Sequence, residues 1–260
     1  MKNLKFILMA VVAILFSAAV AVAQEKPQTL TLPSVVGSNM VLQHSTTVNI
    51  WGWAKPKASV KISTSWTGKK PLKVKADENG FWILPVQTLP ASYDAHTITI
   101  KAGKEVKELT NILFGEVWLC AGQSNMEWAV RKTPDMKEEL SNGTNDKIRL
   151  YCTGRIGTAT PQNDVPVQKK YKAAWRVCNA KSLSNFSAVA YGFGKDLQEA
   201  LDVPIGLIDA SYGGSTIESW LSKETIAKDK KLVAFTKNLY KKKKINKRPT
   251  YLYNANIYPI

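Results

Sequence analysis

A short apolar run that ends at a glycine and leads to a serine constrains this chain more than any other feature. The stretch from Glu116 to Trp128 reads EVWLCAGQSNMEW, and its apolar part is typical of a buried strand in a parallel sheet. The run breaks at Gly122, and Ser124 follows two residues later. Open α/β sheets bind ligands at the carboxyl edge of their strands. The stretch therefore predicts an exposed serine at such an edge, although a polar turn after a core strand has the same pattern.

The first part of the chain has the pattern of an all-β domain. Short alternating or β-branched runs are separated by turn signals, and Asp77–Gly80 is a hairpin signal between two of them. The runs are Val41–Leu42, Val48–Trp53, Val60–Ser63, Leu72–Lys75, Phe81–Leu84 and Thr97–Ile100. This spacing predicts a small, jelly-roll-like β-sandwich over residues 24–110. The tryptophans at 51, 53, 66 and 82 suit core positions on alternating strands, and a sugar-stacking platform is the alternative.

After Ile112 the pattern changes to alternating strands and helices, which favours a parallel, doubly wound sheet over residues 111–260. Later strands are predicted at Lys147–Tyr151 and Ile205–Asp209. A helix is predicted from a Ser184 cap through Leu201, and a lysine-rich helix from Ser222 to Lys243.

The N-terminus has the pattern of an export signal. Two lysines precede an apolar run from Phe6 to Val22, and Ala21-Val22-Ala23 forms a cleavage site. Residues 1–23 are therefore expected to be a signal peptide, with a membrane anchor as the alternative, and the mature protein is expected to be secreted or periplasmic. No later stretch has the length and apolarity to cross a bilayer. The three cysteines leave at least one free thiol in an oxidising compartment.

The net charge of +16 would ordinarily suggest a nucleic-acid partner. Much of the excess lies in the predicted signal peptide and in the run from Lys241 to Arg248, and export separates the chain from nucleic acid. A solvated basic helix end accounts for the run, and attraction to acidic glycans or a membrane surface is the alternative. Cysteine spacing and the presence of only two histidines argue against a protein-built metal site.

A second glycine-containing loop follows the strand predicted at Ile205–Asp209. Gly213 and Gly214 lie in it, and loops after two parallel strands can meet at one sheet edge. A serine ester hydrolase needs a nucleophile beside backbone N–H groups that stabilise the oxyanion of the tetrahedral intermediate. Glycines suit the second task, because a carbonyl can approach their backbone closely. By itself the pair would suggest only a flexible turn.

The string GQSNM, the segment WRVCN…FSAVAYGFGKDL and the glycine pair together resemble the sialate O-acetylesterase branch of the SGNH (GDSL-like) carbohydrate esterases. The resemblance implies an SGNH-type, flavodoxin-like parallel sheet with helices on both faces. It implies that Ser124 is the nucleophile, and that the N–H groups of Ser124 and of Gly214 (or Gly213) form the oxyanion hole. It also implies removal of acetyl groups from sialic acid or other glycan hydroxyls without metal or organic cofactor.

The family pattern continues with an asparagine block resembling Q-G-E-x-N and a later D-x-x-H, and the chain contains neither. It is therefore expected to be a truncated domain that lacks its C-terminal half and has little or no activity. The strand Ile205–Asp209 is expected to lack its next neighbour and to expose an unpaired edge. His44 and His96 lie far from Ser124 in the sequence and are expected to be ordinary surface or loop residues. An acetylxylan-type esterase and a non-catalytic glycan-binding module are the alternatives.

Overall fold

A computed structural model describes residues 27, 29–68, 70–141, 145–168 and 172–260, and the predicted signal peptide lies outside this part. The strands of the described part are β1 (Val41–Gln43), β2 (Thr47–Trp53), β3 (Ser59–Thr64), β4 (Leu72–Lys75), β5 (Phe81–Gln87), β6 (Ser92–Ala102), β7 (Glu105–Gly122), β8 (Asn145–Cys152), β9 (Arg176–Cys178) and β10 (Ile205–Ser211). Its α-helices are α1 (Lys137–Ser141), α2 (Ala180–Leu183), α3 (Ala188–Leu201), α4 (Lys223–Ala227) and α5 (Lys230–Thr236). The structure is thus mixed α/β.

Two helix predictions need correction. The helix expected from Ser184 begins at Ala188, because the Ser187 side chain accepts the hydrogen bond from the Ala190 N–H and caps it. The lysine-rich helix is divided into α4 and α5, because the Asp229 carboxylate accepts the N–H groups of Lys231 and Leu232 and starts a second helix. No helix within the described ranges is both long and apolar enough to span a bilayer.

One eight-stranded sheet runs through most of the described chain, in the order β4-β3-β6-β7-β10-β8-β9, with β1 beside β7. Strand β7 is its central element. The first part of β7 pairs antiparallel with β6, and the stretch from Glu116 to Gly122 pairs parallel with β10. Antiparallel and parallel regions therefore share one strand, which crosses the predicted domain boundary at residue 110.

Strands β2 and β5 form a separate two-stranded sheet. Its inner face contributes Ile50, Trp82 and Leu84 to a hydrophobic cluster that also contains the inner residues of β3 and β6. Of the four tryptophans in this region, Trp82 is buried, whereas Trp51, Trp53 and Trp66 keep partial exposure. The β-rich pattern is confirmed in its strands, and a closed sandwich separate from the rest of the chain stays a prediction.

The expectation that Ile205–Asp209 lies at an unpaired edge is wrong. Strand β10 lies between β7 and β8, is parallel to both, and all seven of its residues are buried. Strand β8 pairs with the far side of β10. The last strand in the sequence, β10, therefore occupies a central position in the sheet. In the described residues, the stretch of β7 from Val117 to Ala121 pairs on one side only, with β10. Here Trp118 and Leu119 are 43% and 46% exposed, so the run expected to be fully buried is not.

We expect this exposed edge of β7 to cause self-association, because an unpaired apolar strand is a template for pairing with another chain. Replacing Leu119 with lysine should raise the protein concentration at which association begins by about tenfold. Sedimentation velocity over a concentration series measures this, with Val233→Lys on α5 as a matched control, since Val233 is 46% exposed. A monodisperse monomer with a cooperative melt would contradict the prediction.

Candidate active site

The serine turn begins where β7 ends at Gly122. The Glu127 N–H donates to the Gln123 carbonyl at 2.8 Å, which closes a tight turn around Ser124. Met126 packs against the hydrophobic cluster beneath the parallel strands and anchors the turn from inside. Ser124 itself is exposed, as the pattern of the sequence predicts.

The glycine turn lies directly beside the serine turn. Gly122 and Ser211 are in register at the carboxyl ends of β7 and β10, and the Tyr212 N–H donates to the Gly122 carbonyl at 3.0 Å. A Cβ atom built on Gly213 would lie 3.7 Å from the Cα of Ser124. The structure therefore brings the two turns together at one sheet edge, as the parallel pairing of their strands requires.

The two glycines differ in what their N–H groups contact. The Gly213 N–H donates to Glu127 Oε2, and a Cβ at this position would stand 2.7 Å from the same oxygen, so a side chain here would displace the Glu127 carboxylate. Gly214 has a φ of 67°, in the left-handed region that favours glycine. Among the residues the structure describes, the Gly214 N–H has no acceptor. Of the two glycines predicted as oxyanion donors, Gly214 is therefore the one whose N–H is available.

Glu127 ties three segments together at this edge. One oxygen of its carboxylate accepts the Gly213 N–H, and the other lies 2.7 Å from Arg155 Nε. The carboxylate is mostly enclosed, with 24% of the side chain exposed, whereas Arg155 is half exposed. The sequence analysis missed this role, although Glu127 stands inside the string EVWLCAGQSNMEW, three residues after Ser124.

Glu127→Ala is expected to lower the free energy of unfolding by about 1–3 kcal/mol, because it leaves the Gly213 N–H without its charged acceptor. Arg155→Ala serves as the comparison and should cost less than about 1 kcal/mol, since half of the Arg155 side chain is exposed and its ion pair is screened by solvent. Urea unfolding followed by tryptophan fluorescence measures both. A larger loss for Arg155→Ala than for Glu127→Ala would contradict this assignment.

Asn246 holds the glycine turn from the other side. Its side-chain N–H donates to the Gly213 carbonyl at 2.9 Å. Its backbone carbonyl accepts hydrogen bonds from the Thr216 N–H and the Ser219 hydroxyl. Asn246 is buried, although it lies within the lysine-rich run that was expected to be a solvated helix end. Nothing in the local sequence distinguishes this asparagine.

A buried carboxyl group lies two residues before the carboxyl end of β10. Asp209 on β10 is paired with Cys120 on one side and Cys152 on the other. Burial raises the pKa of Asp209 to about 6, and the nearby Ser211 and Arg155 oppose the shift only in part. Its Oδ1 atom has no hydrogen-bond partner within the described residues. Burial also raises the pKa of the Cys120 thiol to about 11, and no disulfide joins the three cysteines within the described residues.

The two histidines are remote from Ser124. His44 contacts Glu116 at 3.1 Å, and His96 pairs with Ile112. At about 3.3 Å per residue along β7, these contacts lie roughly 20 Å and 33 Å before Gly122. The site therefore combines an exposed hydroxyl with free backbone N–H groups and has no imidazole within reach.

Comparisons with known proteins show which family the chain belongs to. The sequence profile described as "Carbohydrate esterase, sialic acid-specific acetylesterase" matches residues 114–247, more than half of the chain. The sialate O-acetylesterase of Mus musculus is 30% identical over 207 residues, and that of Homo sapiens is 29% identical over 203 residues. These alignments cover 74% and 73% of this chain.

A carbohydrate acetylesterase from Xanthomonas citri has a similar structure, with a TM-score of 0.74 and 27% sequence identity over 89% of this chain. The chain spans 38% of the length of the two mammalian proteins and 48% of the Xanthomonas citri chain. The matched profile includes the serine turn, the glycine turn, Glu127 and Asn246. The chain therefore belongs to the sialic acid-specific acetylesterase family of carbohydrate esterases.

Proposed function

We propose that this chain carries the nucleophile and oxyanion hole of a serine O-acetylesterase that removes acetyl esters from sialic acid or other glycan hydroxyls. The observation that carries the proposal is the contact between the serine and glycine turns, with 3.7 Å between the Ser124 Cα and a Cβ position on Gly213. Family membership supplies the reaction class.

In the proposed reaction the Ser124 Oγ attacks the acetyl carbonyl carbon and gives up its proton. The carbonyl electron pair moves to oxygen, and the N–H groups of Ser124 and Gly214 stabilise that charge. The sugar oxygen leaves with a proton, so that an acetyl-serine remains. Water then attacks the acetyl carbon, which releases acetate and restores the hydroxyl.

The first step needs a base beside Ser124, and the described residues do not supply one. Both histidines are remote, and the Glu127 carboxylate is already engaged by Gly213 and Arg155. We therefore propose that this chain by itself has little or no esterase activity, because a serine hydroxyl is a poor nucleophile without an adjacent base. The base would come from a part of the hydrolase domain outside these residues.

The proposal includes the finer fold and the cellular location. Residues 111–260 would be the N-terminal part of an SGNH-type, flavodoxin-like domain, which the parallel pairing of β7, β10 and β8 supports. Residues 24–110 would be a small β-sandwich, which the packing of β2 and β5 against β3 and β6 supports. The signal-peptide pattern of residues 1–23 supports export.

To test the proposal, imidazole in solution takes the place of the missing base. Residues 24–260 are incubated with O-acetylated N-acetylneuraminic acid, or with acetylated xylo-oligosaccharides, with and without imidazole, and acetate is measured. We expect imidazole-dependent release that Ser124→Ala lacks, and the better substrate identifies the glycan class. Release that is the same for both proteins would refute the assignment of Ser124.

A further inference from the structure

A groove of about 890 Å³ lies on the outer face of the two-stranded sheet formed by β2 and β5. Its floor is made of Trp51 and Trp53 from β2 and of Phe81 and Ile83 from β5. One wall comes from residues 162–164 and another from residues 258–260. None of the lining residues belongs to the serine turn or the glycine turn, so the groove is separate from the candidate active site.

The floor is an apolar platform two side chains long and two wide, with the Trp53 and Phe81 rings inclined at 53° to each other. Trp51 lies opposite Ile83, and Trp53 lies opposite Phe81. The ring centroids of Trp53 and Phe81 are 5.9 Å apart. Side chains two positions apart on a strand share a face and are about 7 Å apart. The buried residues of these strands alternate with this set and point to the core. The floor residues therefore lie on the opposite face of these strands from the core, and of the four only Trp51 is also partly packed against the core cluster.

Polar groups stand around the platform with hydrogen-bonding capacity to spare. The side-chain amides of Asn49, Asn79 and Asn163 line the groove and have no hydrogen-bond partner in the part of the chain that the structure describes. Asp77 and Asp164 each use a single carboxylate oxygen. Asp77 Oδ1 accepts two backbone N–H groups of its own turn, and Asp164 Oδ1 accepts the Ser34 N–H at 2.8 Å.

The charge of the groove is opposite to that of the whole chain. The chain has 36 lysines and arginines, yet none of them and neither histidine lines the groove, whereas two carboxylates do. An acidic sugar would be repelled here, and a neutral sugar would not. Aromatic faces beside amides and carboxylates match the flat C–H face and the equatorial hydroxyls of a pyranose ring.

We propose that this groove is a binding site for a neutral, β-1,4-linked oligosaccharide, whose successive rings lie on the Trp51 and Trp53 platform. Such a ligand is extended and presents an apolar C–H face at each ring, which can contact Trp51 and Trp53 in turn along β2. The site would hold a glycan chain apart from the acetyl-bearing sugar. The inference does not depend on the proposed esterase chemistry, because no groove residue takes part in that chemistry.

Isothermal titration of residues 24–260 with xylohexaose tests the proposal. Saturable binding is expected, and Trp53→Ala and Asn163→Ala should each weaken it, the first by about tenfold or more. Ser124→Ala should bind xylohexaose with the same affinity as the wild-type chain. Trp118→Ala is the matched control, since Trp118 is 43% exposed and lies outside the groove. Binding of 3′-sialyllactose should be about tenfold weaker than that of xylohexaose, because its carboxylate meets Asp77 and Asp164.

The variants also separate binding from folding. Trp53→Phe keeps an aromatic face and should retain part of the affinity, and Asn163 is exposed in a loop, so its removal leaves the core intact. Circular dichroism and thermal melts establish that each variant is folded. Absence of saturable binding, unchanged affinity in folded Trp53→Ala and Asn163→Ala, or equal binding of 3′-sialyllactose would overturn the proposal.

Discussion

Ser124→Ala is expected to remove imidazole-assisted hydrolysis of 4-nitrophenyl acetate, with a loss of about 10²–10⁴-fold, the range that a general base contributes when a nucleophile is in place. Ser124 is exposed, and its turn lies beside the glycine turn that contains Gly214, so an aryl acetate can reach this edge of the sheet. In the proposed reaction the missing component is a proton acceptor, which imidazole can provide. The measurement is the initial rate at several imidazole concentrations, corrected for the reaction of imidazole alone.

The pH dependence and a matched serine variant make this test specific. The assisted rate should rise between about pH 6 and 8, because only neutral imidazole accepts a proton. Ser141→Ala, an exposed serine at the end of α1, should leave the rate unchanged. Without imidazole, the unchanged chain and Ser124→Ala should be equally slow. Rapid hydrolysis by the unchanged chain without imidazole would show that a base is present within these residues after all.

Asp209→Asn is expected to stabilise the protein by about 1–3 kcal/mol at pH 7.5 and by little at pH 4. In the folded protein, burial raises the pKa of Asp209 from 3.8 to about 6. Between these values the folded state binds more protons than the unfolded state, so stability falls as pH rises. The penalty approaches about 3 kcal/mol above pH 7. Asparagine has the same shape and cannot ionise, so it removes this dependence.

The comparison of two pH values isolates the Asp209 carboxyl from all other groups. Urea unfolding of both proteins at pH 4 and 7.5 gives the difference in free energy at each pH. Asp135→Asn, at an exposed position, should change neither value by more than about 0.5 kcal/mol. A gain for Asp209→Asn that is equal at both pH values, or a loss at pH 7.5, would show that the buried carboxylate is not destabilising.

Local patterns were sufficient for the strands and for the serine. The alternation of apolar residues located β2, β3 and β5 closely, and the glycine at the end of an apolar run correctly placed Ser124 on an exposed turn. These features depend on residues within a few positions of one another. The order of the strands in the sheet depends instead on residues far apart in the sequence. Because β8 pairs with β10 across more than fifty residues, the sequence analysis misplaced β10 at an edge.

By itself the sequence determined the family, the candidate nucleophile and the glycine pair, since these depend on short strings that keep their meaning in isolation. Only the tertiary structure decided which glycine N–H is free, because Glu127 and Asn246 come from distant segments to engage Gly213. It also decided that Trp82 is buried in the core while Trp51 and Trp53 line an open groove. Hydrogen bonds and burial between distant segments form only in the folded chain, and a linear pattern does not record them.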